Sequence, residues 1–237
     1  MKIIKSLPSV ISSLNLTSGA AATIFAFQGD LDTAIYLIIF AAICDFFDGF
    51  AARMLNAVSE FGKQIDSLAD LISFGFAPTA LIYNFILVNH ILSIHFAFAS
   101  LFIVVFSALR LAKFNIDAEQ KIEFRGLPTP ASAIFIISVC FPYSFGLIDI
   151  SNLFYNKIFI ISTIIILPLL MISRLKLFSL KIVNLDFKNN IWQIVLLLFS
   201  IINVIIFGIS GLAFSIILYL ALSIVKQYFE TKKKTTK

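Results

Sequence analysis

Four aspartates, Asp45, Asp48, Asp66 and Asp70, stand inside otherwise apolar sequence in a chain of 237 residues that holds only 13 acidic residues. On a helix turning by about 100° per residue, Asp45 and Asp48 fall roughly 60° apart and Asp66 and Asp70 roughly 40° apart, so each pair shares a face. The polar turn 56–62 between them predicts two antiparallel helices whose aspartate pairs face one another. An isolated carboxylate at membrane depth costs at least ~2.5 kcal/mol, and the only cations close by in sequence are Arg53 and Lys63. The charge deficit points to bound divalent metal. Oxygen-only ligands suit Mg²⁺ or Mn²⁺, whereas zinc would favour His or Cys. His90 and His95 lie away from this segment in the predicted topology and read as interfacial or packing residues. Two ions clamped by shared carboxylates would suit in-line displacement at phosphorus.

Small residues accompany the acids. Gly49 and Ala52 continue the face of Asp45 and Asp48 toward Arg53, and Gly62 opens the second helix. Such positions let a phosphate or nucleotide approach the backbone; close packing of helices is the other use of small residues in a membrane.

The elements that must hold these residues are set by the bilayer. The chain is 60% hydrophobic and 13% charged, with a mean hydropathy of +1.01 and 27 phenylalanines. A water-soluble domain carries about twice that charged fraction. Apolar blocks separated by turn signals predict about eight spans, because lipid leaves no partner for an unpaired backbone. They run near 13–28, 31–55, 64–88, 91–114, 128–148, 153–173, 190–208 and 211–228. Residues 1–12, with Pro8 in the second half, predict a helix lying in the interface. The expected fold is therefore all-α, a polytopic membrane helical bundle forming one domain over 1–237. Its catalytic core covers about 1–150, with further spans over about 151–237.

No small-residue cleavage site follows the N-terminal segment, which is expected to be retained. Cys44 and Cys140 both lie in apolar runs and read as packing residues rather than a disulfide. With an even number of spans, 17 of the 18 Lys and Arg gather on one side and Lys157 falls opposite, which predicts cytoplasmic termini and longer loops. The tail cations Lys232, Lys233, Lys234 and Lys237 either attract an anionic leaflet or form a solvated end. The net charge of +5 needs no nucleic acid to explain it.

The stretch Asp45-Phe-Phe-Asp48-Gly49-Phe-Ala-Ala52-Arg53, an eight-residue gap, and Gly62-Lys-Gln-Ile-Asp66-Ser-Leu-Ala-Asp70 resembles without departure the signature of the CDP-alcohol phosphatidyltransferases, D-x-x-D-G-x-x-A-R followed by G-x-x-x-D-x-x-x-D. Three flanking segments resemble the membrane-spanning serine-accepting branch of that family. They are Asp66-Ser-Leu-Ala-Asp70-Leu-Ile-Ser-Phe-Gly-Phe-Ala-Pro78, Leu109-Arg110-Leu-Ala-Lys113-Phe-Asn115 and Phe124-Arg125-Gly126-Leu-Pro128-Thr-Pro130-Ala. That branch usually begins P-N-x-x-T-x-x-N, whereas here Pro8-Ser9-Val-Ile-Ser12-Ser-Leu-Asn15 retains Asn15 and a hydroxyl at Ser12 but has Ser9 for the first amide. Beyond about residue 150 the resemblance is only general.

The resemblance implies an integral enzyme of the cytoplasmic membrane, working as a homodimer. It would transfer the phosphatidyl group of CDP-diacylglycerol to the hydroxyl of L-serine, giving phosphatidylserine and CMP. It implies that Asp45, Asp48, Asp66 and Asp70 bind one or two Mg²⁺ or Mn²⁺ ions, with Asp70 also the catalytic base. Asn15, Gly49, Ala52, Arg53 and Gly62 would contact the CDP donor. Arg110 and Lys113, three apart near a helix end, with Arg125 in the next loop, would receive the serine carboxylate; snorkelling to the interface is the other reading of Arg110 and Lys113. Glycerol 3-phosphate or inositol phosphate as acceptor would use the same cations, so charge alone leaves the acceptor open. A cation transporter would also place carboxylates in the membrane, but it does not account for Gly49, Ala52 and Gly62 at their spacing.

Overall fold

The computed structural model describes residues 7–57, 59–117, 125–141, 146–178 and 190–235, with side chains as far as Gln227. The first six residues, Phe124 and Lys237 lie outside the described residues, as do the side chains of Lys232, Lys233 and Lys234. Described regular structure is helical, apart from one isolated antiparallel bridge between Arg125 and Lys176.

The chain runs α1 Leu7–Gln28, α2 Leu31–Met54, α3 Glu60–Val88, α4 Ile94–Ile116, α5 Thr129–Cys140, α6 Lys157–Ile172, α7 Ile191–Phe207 and α8 Leu212–Thr235. Among the described residues, five stretches are long and apolar enough to cross a membrane: α1, α2, α3, α4 and the run Ile191–Gln227. That last run contains both α7 and α8. They are separated by the tight 3-10 turn Gly208–Gly211 and pack on each other. The helices α5 and α6 are apolar but shorter. The expected break between an interfacial helix and the first span does not fall within the described residues, because α1 is continuous from Leu7 onward. Pro8 lies in the first described turn of α1.

Polar caps set the helix starts. Asp30 accepts a hydrogen bond from the Thr33 amide at 3.1 Å and opens α2, while Ser59 accepts from the Gly62 amide at 3.0 Å and opens α3. Asn156 does the same for Ile158 and Phe159 in α6. Between α2 and α3 the chain turns at Asn56, whose positive φ of 47° suits the residue type that tolerates the left-handed region best after glycine.

The core gathers α1 to α6 around Ile35, Ile38, Phe74, Leu81, Ile86, Ile136 and Ile160. The most extensive pairing is α1 along α2. The helix α3 changes pitch just after Asp70, where Leu71–Phe76 forms a π turn. Gly19 of α1 meets this turn so closely that an added Cβ would lie 2.6 Å from the Cα of Ser73. Ser73 then donates its hydroxyl to the Asn15 carbonyl at 2.9 Å. On the opposite side Gly75 packs on Ser107 of α4. The wide turn is therefore held from both sides, directly beside the last signature aspartate.

Candidate active site

The two helices that carry the aspartates do meet as the spacing predicts. One carboxylate oxygen from each of Asp45, Asp48 and Asp66 lies within 4.8 Å of the other two. Asp70 is not part of that trio; its carboxyl lies beside that of Asp45, with Arg110 of α4 in electrostatic range. The four acids thus form a group of three with a fourth beside it.

A divalent ion fits these residues. Asp66 Oδ1 and Asp70 Oδ1 are buried without a hydrogen-bond partner. Carboxylates this close require a proton or a cation between them. A hard ion with bonds of roughly 2.1 Å spans such oxygens after small side-chain adjustments.

The helix α1 supplies a support that the spacing of acids does not reveal. Ser12 donates to Asp48 Oδ2 at 2.6 Å and fixes the orientation of a carboxylate that is only 4% exposed. Ser12, Asn15 and Ser18 are buried at three-residue intervals along α1. That polar stripe in an apolar helix is the sequence signal by which Ser12 could have been singled out. Asn15 is 0% exposed, and neither its Oδ1 nor its Nδ2 has a hydrogen-bond partner.

Above the acids a cavity of about 220 Å³ opens between α1, α2 and α3. Its walls include Asp48, Asp66, Gly49, Ala52, Arg53 and Gly62. Four of the five residues expected at the donor therefore line one space, and Asn15 is not among its walls. The glycines can be assigned between their two uses. A Cβ on Gly49 would meet only Arg53 Nη1, at 3.6 Å, so no helix packs there and the position keeps the cavity open. Helix packing is instead the use of Gly19 and Gly75, which the spacing of the acids does not single out. Ser9, Ser59 and Lys63 also line the cavity, and sequence reasoning gave them no role at the donor.

The cations expected at the acceptor separate. Arg110 is 9% exposed, donates to Thr129 Oγ1 at 3.5 Å and lies 5.5 Å from the centre of the Phe114 ring. Its side chain is thus packed within the bundle, with Asp70 in electrostatic range. Lys113, one turn on, is exposed. Arg125 is held in the bridge to Lys176, beside Gly126. Gly126 has a φ of 76° and approaches the Met171 carbonyl so closely that no side chain fits.

A membrane-embedded helical bundle with clustered carboxylates beneath a glycine-lined cavity defines a class of metal-assisted transferase acting on a phosphate at the bilayer surface. The chain belongs to the CDP-alcohol phosphatidyltransferase family, whose pattern matches residues 5–224. It is 31% identical, over 94% of its length and 91% of the relative's, to a Helicobacter pylori (strain 26695) protein named CDP-diacylglycerol–serine O-phosphatidyltransferase. A Bacillus subtilis (strain 168) protein of the same name is 34% identical over 64% of this chain and 88% of its own. An archaetidylserine synthase of Methanothermobacter thermautotrophicus is 33% identical over 72% of this chain and 68% of its own.

Proposed function

We propose that the chain transfers the phosphatidyl group of CDP-diacylglycerol to the hydroxyl of L-serine, releasing CMP and forming phosphatidylserine. The observation that carries this reading is the trio Asp45, Asp48 and Asp66, of which Asp48 and Asp66 line the cavity walled by Gly49, Ala52, Arg53 and Gly62. A diphosphate joined to a nucleotide needs both features, a seat for divalent ions and bare backbone beside it. Names of relatives that carry serine support the acceptor.

In this mechanism Asp45, Asp48 and Asp66 would hold one or two ions, Mg²⁺ or Mn²⁺, and Asp70 would add an oxygen where a second is bound. A divalent ion held there would supply the positive charge that neutralises the diphosphate and the departing phosphate. Gly49, Ala52, Arg53 and Gly62 seat the nucleotide and its phosphates, with Asn15 nearby. Asp70 accepts the proton of the serine hydroxyl, and Arg110 opposite holds its charge and receives the serine carboxylate. The serine oxygen bonds to the β-phosphorus that carries diacylglycerol, and the bond from that phosphorus to the bridging oxygen breaks. Lys113 and Arg125 complete the cationic surroundings of the acceptor. The protein chiefly supplies position and fixed charge.

The proposed setting is the cytoplasmic membrane. Eight crossings follow a short N-terminal interfacial segment, the site and both termini face the cytoplasm, and two copies form a homodimer. An acceptor screen on purified protein tests the assignment. Phosphatidylserine should form with L-serine, and turnover with glycerol 3-phosphate or inositol phosphate but not serine would refute it.

A further inference from the structure

Charge in the donor cavity is arranged in two tiers. Asp48 and Asp66 lie deep, and Arg53 and Lys63 lie toward the α2–α3 turn, five residues on in α2 and three residues back in α3. At 1.5 Å rise per residue these offsets correspond to roughly 7.5 Å and roughly 4.5 Å along the helices. Arg53 belongs to the signature of the family, whereas Lys63 occupies one of its unspecified positions. Lys63 is half-buried, and its ammonium donates to the Asn115 carbonyl at 3.1 Å. Asn115 is itself anchored through its amide nitrogen to Ser67 Oγ at 2.8 Å. One backbone carbonyl uses one of three ammonium donors and holds the side chain at the cavity wall. Two donors are left for whatever enters. A cation fixed on a wall opposite carboxylates, one tier above a metal seat, suits an anionic ligand longer than one phosphate.

We infer that Lys63 binds the nucleotide-side phosphate of the donor, the one that departs with the nucleoside, and thereby helps to determine how tightly donor and nucleotide product are held. The inference rests on the reading that this cavity seats a cytidine nucleotide. Its test uses the full-length protein in detergent or lipid, with CMP and cytidine compared as inhibitors of CDP-diacylglycerol turnover. Cytidine shares the base and sugar but lacks the phosphate. In Lys63→Met the inhibition constant for CMP should rise about tenfold, as expected when a charge-assisted hydrogen bond is lost, while that for cytidine stays unchanged. Lys63→Arg should restore most of the CMP inhibition, which a purely structural role for the Asn115 contact would not give. Unchanged CMP inhibition in Lys63→Met overturns the inference, as does an equal weakening of CMP and cytidine. A rise confined to the serine KM also overturns it, by placing Lys63 at the acceptor. Failure of the cavity reading itself would look different, since the unaltered protein would then be inhibited by neither compound.

Discussion

At the scale of single residues, Asp70 and Ser12 carry the most specific expectations. Asp70 lies beside Asp45, with Arg110 in electrostatic range, rather than joining the close trio. Asp70→Asn should therefore still bind donor and metal, the second ion less tightly, yet lose turnover by about 10²–10⁴-fold, as for removal of a general base. Equilibrium binding of a donor analogue beside steady-state rates separates the two effects, and full activity would remove the base assignment. Ser12 acts on Asp48 through a 2.6 Å hydrogen bond. Ser12→Ala should weaken activation by Mg²⁺ or Mn²⁺ by about 10–100-fold, the usual cost of losing a hydrogen bond that orients a metal ligand, and a metal titration of initial rates reads it. Gly49→Ala meets no protein atom closer than 3.6 Å. It should fold normally and raise the donor KM about tenfold, the scale of one methyl group in a fitted pocket.

The elements were legible to different degrees, for reasons that particular residues make plain. The antiparallel pair α2 and α3 followed from two features, the polar turn after Met54 and acids recurring every three or four residues. The caps at Asp30 and Ser59 fix its boundaries. The continuous start of α1 was harder to read, because Ser12, Asn15 and Ser18 lower its hydropathy and imitate a surface segment. They are buried, and Ser12 and Ser18 bond to Asp48 and to the Leu37 carbonyl. The π turn Leu71–Phe76 had no periodic signature, since the local sequence is apolar throughout; its pitch is bound up with the approach of Gly19. Gly19→Ala should accordingly strain this turn and lower thermal stability by about 1–3 kcal/mol, the range for overpacking. It should also reduce turnover by moving Asp70, and a thermal melt in detergent alongside rates checks both. A melt unchanged from the parent would mean that the helices separate easily there.

For the whole molecule, the low charge and the long apolar blocks made the membrane and the all-helical class readable. They left the separation of the cations unread. Arg110 and Lys113 sit three apart on one helix and look equivalent in sequence. Packing of α4 against α3 and α5 buries the first beside Asp70 and Thr129 and leaves the second exposed. What unites the fold is that α1, α2 and α3 bring three carboxylates and a cavity to one place, and a single assay addresses that arrangement. CMP release from CDP-diacylglycerol by the purified protein should require Mg²⁺ or Mn²⁺ together with L-serine, and should stop when a chelator removes the metal. CMP release that persists without divalent metal, or none under any of these conditions, would contradict it.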